Sequence, residues 1–310
     1  MADTTKNILI TAAGGHIGQE LIPKLLSQKT WKLVLPTSNA SRLQTALPSS
    51  ANIAVEEGSI QDPNWVESIL TKHAIDTVFL CLTGTDELFT TLNFFTAMQR
   101  AGTVKYLLYL SACGDFASPA GIEKTMKMCD AAHVIVKTTI EQKLRHSEYP
   151  WQTTVLGPTL FFSNDLRSKK SMLEDGVFDE PLGQNGVSRV STSDIALAVY
   201  NLILSFPRYA GRKVQIGSLK TFTGAEVTKL WGEVLGKEVK MVEVDDAFEE
   251  EFTKKAGNAA WGRDLRLMYE TFAIERFGMS EEEYALLVEV LGKEPEDYEA
   301  WVRSVGQGWS

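Results

Sequence analysis

The chain has few metal-binding or disulfide-forming residues. Only three cysteines and four histidines occur among 310 residues. None is spaced as a CxxC motif or a Cys/His metal site would require. We therefore expect no bound metal and reduced thiols at Cys81, Cys113 and Cys129, which is typical of the cytoplasm.

Long apolar runs and strong basic clusters are also missing. No segment reaches the roughly 18 apolar residues of a membrane span, and the polar start MADTTKN lacks the apolar core of a signal peptide. The net charge is −9, and the densest basic patch is the short RSKK segment at 167–170. This composition predicts a cytoplasmic protein with no membrane contact and no nucleic-acid partner.

What the sequence does contain is a regular alternation of apolar strand-like segments with helix-like segments. Strand-like segments such as NILIT, WKLVLP, DTVFLCLTG and KYLLYLSA are separated by amphipathic ones such as DPNWVESILTKH. The pattern predicts an α/β fold with a Rossmann-type, doubly wound parallel sheet. We expect a dinucleotide-binding domain over residues 1–157 and a smaller, mostly helical substrate-binding portion over 158–310, of which 186–217 returns to the sheet.

A glycine cluster lies between the first predicted strand and the first predicted helix, in NILITAAGGHIGQELI. A helix N-terminus offers unpaired N–H groups to a pyrophosphate, and glycines allow the close approach. Alanine replaces the usual first glycine, at a cost of about 1 kcal/mol if its φ angle must be positive. The predicted phosphate-binding residues are Ala12, Gly14, Gly15, His16, Ile17 and Gly18.

The second predicted strand ends in LPTSNASRL, without the acidic residue that would hold the ribose of NAD. Thr37 and Ser38 offer hydrogen-bond donors, and Arg42 offers a cation for the 2′-phosphate of NADP. This predicts NADP(H) as the cofactor, with NAD(H) less favoured. Arg42 on a solvated helix face is the alternative interpretation.

Several segments in order resemble the NmrA-like family of atypical short-chain dehydrogenases/reductases. ILITAAGGHIGQELI is similar to that family's VTGATGxxG opening, and EEGSIQDP to its GDxxD segment. AMQRAGTVKYLLYLSACGDF and HVIVKTTIEQKLRHSEYPWQTTVLGPTLFFSN are similar to two later stretches. Ala12, Ser38, Ser59 and Gly157 depart from the family pattern, which affects cofactor affinity and choice more than the fold. The resemblance implies a dinucleotide crevice lined also by Ser59, Ile60, Leu82, Thr83, Gly84 and Ser111.

The resemblance places Lys137 at the active-site lysine of the family, where it would bind the nicotinamide ribose. His133 lies one helical turn earlier, on the same helix face. A histidine ordinarily titrates near neutrality, so His133 is a candidate proton donor. A histidine that only packs is the alternative. Phe161, Phe162 and Asn164 follow the sixth predicted strand and are candidates for the substrate pocket.

These features predict an NADPH-dependent reductase of a small organic carbonyl or activated double bond. No GxSxG nucleophile motif is present, so a hydrolase is not favoured. Two alternatives stay open: an NADP(H)-sensing regulator that binds a protein partner, and a redox-neutral cyclase or isomerase on the same fold.

Overall fold

The central feature of the computed structural model, which describes residues 5–82 and 84–309, is a seven-stranded sheet. Its strand order is β3-β2-β1-β4-β5-β6-β10, and the pairs from β3 through β6 are parallel. This is the order expected of a Rossmann-type fold. The strands of this sheet are β1 (Asn7–Ile10), β2 (Lys32–Thr37), β3 (Ile53–Glu57), β4 (Thr77–Leu80), β5 (Tyr106–Leu110), β6 (Gln152–Pro158) and β10 (Lys213–Ile216).

Helices connect these strands and cover both faces of the sheet, as the predicted fold class requires. The helix α1 packs on α8, and α3 packs on α4. The first eight helices are α1 (His16–Leu26), α2 (Ala40–Ala46), α3 (Pro63–Lys72), α4 (Glu87–Ala101), α5 (Pro119–Met128), α6 (Ala132–His146), α7 (Lys169–Glu174) and α8 (Thr192–Leu204).

The remainder of the chain is mainly helical, with two small sheets. One small sheet has the order β11-β9-β7 and the other pairs β12 with β8. Their strands are β7 (Leu160–Phe161), β8 (Val177–Phe178), β9 (Val187–Val190), β11 (Thr221–Phe222) and β12 (Lys240–Met241). A 3₁₀ helix spans Phe162–Ser168, and the last helices are α9 (Gly224–Leu235), α10 (Asp246–Ala256), α11 (Ala259–Ile274), α12 (Glu281–Leu291) and α13 (Tyr298–Gln307).

The chain divides into two compact units. The nucleotide-fold unit comprises Met1–Ser111, Thr139–Gly157 and Thr192–Val214, and its core is made by the apolar side chains of the sheet. The helical unit comprises Ala112–Thr138, Pro158–Ser191 and Gln215–Ser310. Its core is aromatic, with Phe162, Trp231 and Tyr298 fully buried.

Local sequence signals explain where several helices begin. Asp62 caps α3 by accepting the N–H groups of Asn64 and Trp65, with proline at the first helical position. Capping boxes begin α9 and α12, at Thr223 with Glu226 and at Ser280 with Glu283. Among the residues that the structure describes, no helix is both long and apolar enough to cross a membrane.

Candidate functional site

The glycine-containing turn between β1 and α1 has the backbone shape that a phosphate loop needs. Ala12 adopts a φ angle of 53°, in the left-handed region that favours glycine. The N–H of Gly15 donates to the carbonyl of Ala12 at 2.9 Å, which closes the turn. Ala12 therefore occupies a glycine conformation, and its side chain is exposed together with Gly14 and His16.

The first turn of α1 leaves donors available for an anion. Gly15 is the N-cap residue and contributes no capping side chain. Within the described chain, the N–H groups of His16, Ile17 and Gly18 have no hydrogen-bond partner. A Cβ atom at Gly18 would lie 2.3 Å from the carbonyl oxygen of Ala13, so only glycine fits there. This cradle fits a dinucleotide pyrophosphate.

The carboxyl ends of β2 and β3 lie side by side. Thr37 pairs with Glu57 in the register of the two strands, and the N–H of Gly58 donates to the carbonyl of Thr37 at 2.8 Å. Ser38 and Arg42 are both exposed. The carboxylate of Glu57 accepts the N–H of Ala40 at 2.9 Å, which places a negative charge beside the turn that follows β2.

The other residues predicted to line the dinucleotide crevice follow β3, β4 and β5. Ser59 is exposed, and its hydroxyl accepts the N–H of Gln61 at 3.2 Å. Ile60 and Gly84 are half-buried, and Leu82 is buried. Thr83 lies outside the described residues. Contact of these residues with a ligand stays a prediction.

Ser111, immediately after β5, belongs to a buried polar chain. Its hydroxyl donates to the carboxylate of Glu141 on α6. The ammonium of Lys213 approaches the same carboxylate at 2.7 Å. Glu141 and the neighbouring Thr138 are buried, although the helical pattern alone suggests a surface position for both. Glu141 therefore holds Ser111 in one orientation.

The two predicted catalytic residues lie on α6, one turn apart, within the helical unit. Lys137 is buried, with 6% of its surface exposed, which excludes a simple surface lysine. The Nδ1 atom of His133 is hydrogen-bonded to the carboxylate of Asp264 on α11. Asp264 also accepts the N–H of Ala132 at 2.5 Å, so it fixes the start of α6.

The charge state of Asp264 follows from these contacts. Burial by itself would raise the pKa of this carboxyl. The hydrogen bonds and charge of His133, together with the N–H of Ala132, outweigh burial and hold the pKa of Asp264 below its ordinary value. An ionised Asp264 accepts from Nδ1 of His133, so the Nε2 atom is the ring nitrogen left for other chemistry.

The predicted substrate residues begin the irregular segment after β6. Phe162 is buried, and its ring packs against Tyr298 and Trp301 at centroid distances of 5.1 and 5.5 Å. Phe161 and Asn164 are half-buried. Their contact with a substrate stays a prediction, as does that of Phe162, whose present neighbours belong to the core of the helical unit.

Three charged residues of interest were not among the candidates from sequence. Asp264 lies 131 positions from His133, and no local spacing connects them. Glu141 looks like an ordinary helix-surface residue in the sequence. Glu57 ends β3, whereas the expected acidic residue belongs at the end of β2. The sequence feature that could have identified Glu57 is its position as the last residue of the strand next to β2.

Comparison with known proteins agrees with this geometry. The model of a family described as NAD(P)H-binding matches residues 12–204. The chain belongs to the NAD(P)H-binding family. The match begins at Ala12 in the phosphate loop and continues through α8, so it includes the cradle and all of α6. The sequence predicted NADP(H), with NAD(H) less favoured, and the family match confirms an NAD(P)H cofactor.

Individual relatives are distant in sequence. An NAD(P)H azoreductase of Xenophilus azovorans is 22% identical over 76% of this chain and 77% of that protein. The structure of an NADPH-dependent quinone oxidoreductase of Escherichia coli, complexed with NADPH, superposes with a TM-score of 0.77, with 19% identity over 96% of this chain and 99% of that one. NmrA, a negative transcriptional regulator solved with NADP, gives a TM-score of 0.72, with 15% identity over 97% and 95% of the two chains. The structural matches confirm the Rossmann-type fold that the NmrA-like resemblance implies.

Proposed function

We propose that this protein is an NAD(P)H-dependent oxidoreductase that reduces a small, conjugated organic molecule such as a quinone, an azo compound or another activated carbonyl or double bond. The family match and the azoreductase relative support the reaction class. Bound NAD(P)H would supply a hydride, and the protein would supply binding, orientation and the proton.

The observation that carries the proposal is the hydrogen bond between His133 and Asp264. A carboxylate that accepts from Nδ1 fixes the ring of a histidine in one orientation. His133 would then present Nε2 as the donor that protonates the reduced substrate. A histidine with only a packing role does not need a half-buried carboxylate on its ring.

Lys137 would contribute binding rather than proton transfer. Its burial one turn after His133 supports the role that the family resemblance implies, a hydrogen bond to the nicotinamide ribose. Ser111 has a complementary role, because its hydroxyl proton is already directed to Glu141. Its oxygen can accept a hydrogen bond from a ligand amide.

The test is oxidation of NADPH and NADH by the purified protein, measured with a panel of quinones, azo dyes, aldehydes and enones. We expect turnover of at least one class, and a loss of about 10²-fold or more in kcat for His133→Ala. Asp264→Asn should lower kcat less and should shift the pH dependence of kcat, because it changes the partner of the ring. Dinucleotide affinity should change little in either variant.

A matched control is available on the same helix. His146 is exposed near the end of α6, where its Nε2 atom lies 3.2 Å from Oε1 of Gln142. His146→Ala should keep full activity. Equal losses in the His133 and His146 variants, or an unchanged pH profile in Asp264→Asn, would contradict the assigned role of His133.

A regulator is the second candidate, because the fold also matches NmrA, which is solved with NADP. It predicts that either dinucleotide binds and raises the thermal stability of the protein. It also predicts that no compound in the panel is reduced. That pair of results would replace the reductase proposal with the regulator.

A further inference from the structure

The carboxyl end of β3 supplies a negative charge where the sequence pattern of β2 has none. Glu57 is the last residue of β3 and the register partner of Thr37, the last residue of β2. Its carboxylate reaches the turn after β2 and accepts the N–H of Ala40 at 2.9 Å. The backbone N–H of Ala40, three residues beyond the end of β2, therefore holds the carboxylate of Glu57 beside this turn.

Backbone N–H groups of the turn after β2 are already occupied, so few of them remain for an anion other than the carboxylate of Glu57. The N–H of Ala40 is taken by Glu57, and the N–H of Arg42 is taken by the side chain of Asn39 at 2.9 Å. The hydroxyl oxygen of Thr37 accepts the N–H of Asn39 at 3.1 Å. Arg42 is the cation in this segment, and within the described chain its guanidinium forms no ion pair.

A carboxylate and a cation at this place favour different dinucleotides. An acidic group at the end of β2 binds the ribose 2′-hydroxyl of NADH, whereas an arginine accommodates the 2′-phosphate of NADPH. A carboxylate repels that phosphate by like charge. Glu57 lies on the neighbouring strand, and neighbouring strands are only about 5 Å apart, so its side chain can take the place of an acidic residue on β2.

We propose that Glu57 is a cofactor-selecting residue, which accepts the ribose 2′-hydroxyl of NADH, opposes the 2′-phosphate of NADPH, and lets this chain use both dinucleotides. Arg42 acts in the opposite direction. This inference rests on the cofactor site of the proposed function, and it does not depend on which substrate is reduced.

The experiment measures dissociation constants for NADPH and NADH without substrate, by calorimetry on the full chain. Glu57→Gln removes the charge and keeps an oxygen for the N–H of Ala40. We expect the ratio Kd(NADH)/Kd(NADPH) to rise about tenfold in this variant, mainly through tighter NADPH binding. Arg42→Gln should lower the same ratio by a similar factor.

Glu148→Gln is the matched control. Glu148 is exposed in the turn before β6, at the amino ends of the parallel strands, so its loss changes the net charge equally but far from the β2 turn. Its ratio should stay within about twofold of the unaltered protein.

The result that overturns the role of Glu57 is a ratio that Glu57→Gln leaves within twofold, or a change of both constants in proportion. If Glu57→Gln does not fold, Glu57→Ala and the Arg42→Gln variant decide the question by the same ratio. Binding without turnover would tell against the reductase and leave this inference intact. An unaltered protein that binds neither dinucleotide would overturn both.

Discussion

Glu180 provides a pH-dependent test of how the helical unit is stabilised. This residue follows β8 and is buried, and its Oε1 atom accepts from Nε of Arg167 at 2.9 Å. Its Oε2 atom is buried and has no hydrogen-bond partner among the described residues. Burial raises the pKa of Glu180 from 4.5 to about 7, since the charge of Arg167 only partly offsets it and Asp165 adds repulsion.

The direction of the pH effect follows from proton binding. As pH rises from about 4.5 to about 7, the unfolded chain has released the proton of Glu180 while the folded protein still holds it. The folded state then binds more protons, so the contribution of Glu180 to the free energy of unfolding falls with rising pH in this interval and is constant above it. At about 1.4 kcal/mol for each pH unit, the total fall is about 3 kcal/mol.

The measurement is urea unfolding at several pH values between 4.5 and 8, followed by tryptophan fluorescence. The free energy of unfolding of the unaltered protein should fall by about 3 kcal/mol relative to Glu180→Gln, which cannot titrate. Subtracting the variant removes the contributions of other groups. Glu174→Gln, at an exposed position of α7, is the control and should follow the unaltered protein. A difference between protein and Glu180→Gln that does not vary with pH would refute the reasoning.

Two further predictions concern glycine packing and a buried ion pair. Gly18→Ala should abolish dinucleotide binding and lower the free energy of unfolding by about 1–3 kcal/mol, because its Cβ would overlap backbone atoms. Gly308→Ala, near the end of the chain, should bind normally and keep its stability, since its Cβ would meet the carbonyl oxygen of Val305 at an ordinary 3.5 Å. Arg189→Met should cost about 3–5 kcal/mol in urea unfolding, because it leaves Asp165 buried without its cation. Arg303→Met, at an exposed ion pair, should cost at most about 1 kcal/mol. Equal losses in the two glycine variants would contradict the packing argument, and equal losses in the two arginine variants would contradict the argument from the buried ion pair.

The sheet of the nucleotide-fold unit could be predicted from sequence because several of its strands are local apolar runs. The segments NILIT, WKLVLP and KYLLYLSA match β1, β2 and β5 to within two residues. Pro23 weakens the prediction of α1, yet the helix continues through it. Its buried face, which includes Leu21, Ile22 and Leu25, holds the helix on the rest of the unit.

Elements without a buried apolar face could not be recognised in the same way. The helix α5 has no buried residue, and Ser118 followed by Pro119 is its local start signal. The short strands β7, β8, β11 and β12 have two residues each and are defined by distant partners. The contacts of Asp264 and Glu141 likewise join residues far apart in sequence, which local spacing cannot reveal.

Two of the departures of this chain from the NmrA-like pattern, Ser38 and Ser59, follow the strands β2 and β3, where the adenosine half of a dinucleotide would bind. Ala12 keeps the conformation of a glycine at φ 53°, so that departure costs about 1 kcal/mol and leaves the loop intact. Ser38 and Ser59 are both exposed. Ser38 directly follows Thr37, the register partner of Glu57, and Ser59 lies two residues after Glu57. The end of β5 retains Ser111 on a buried carboxylate. The departures at Ser38 and Ser59 therefore lie beside the carboxylate that we propose selects the dinucleotide.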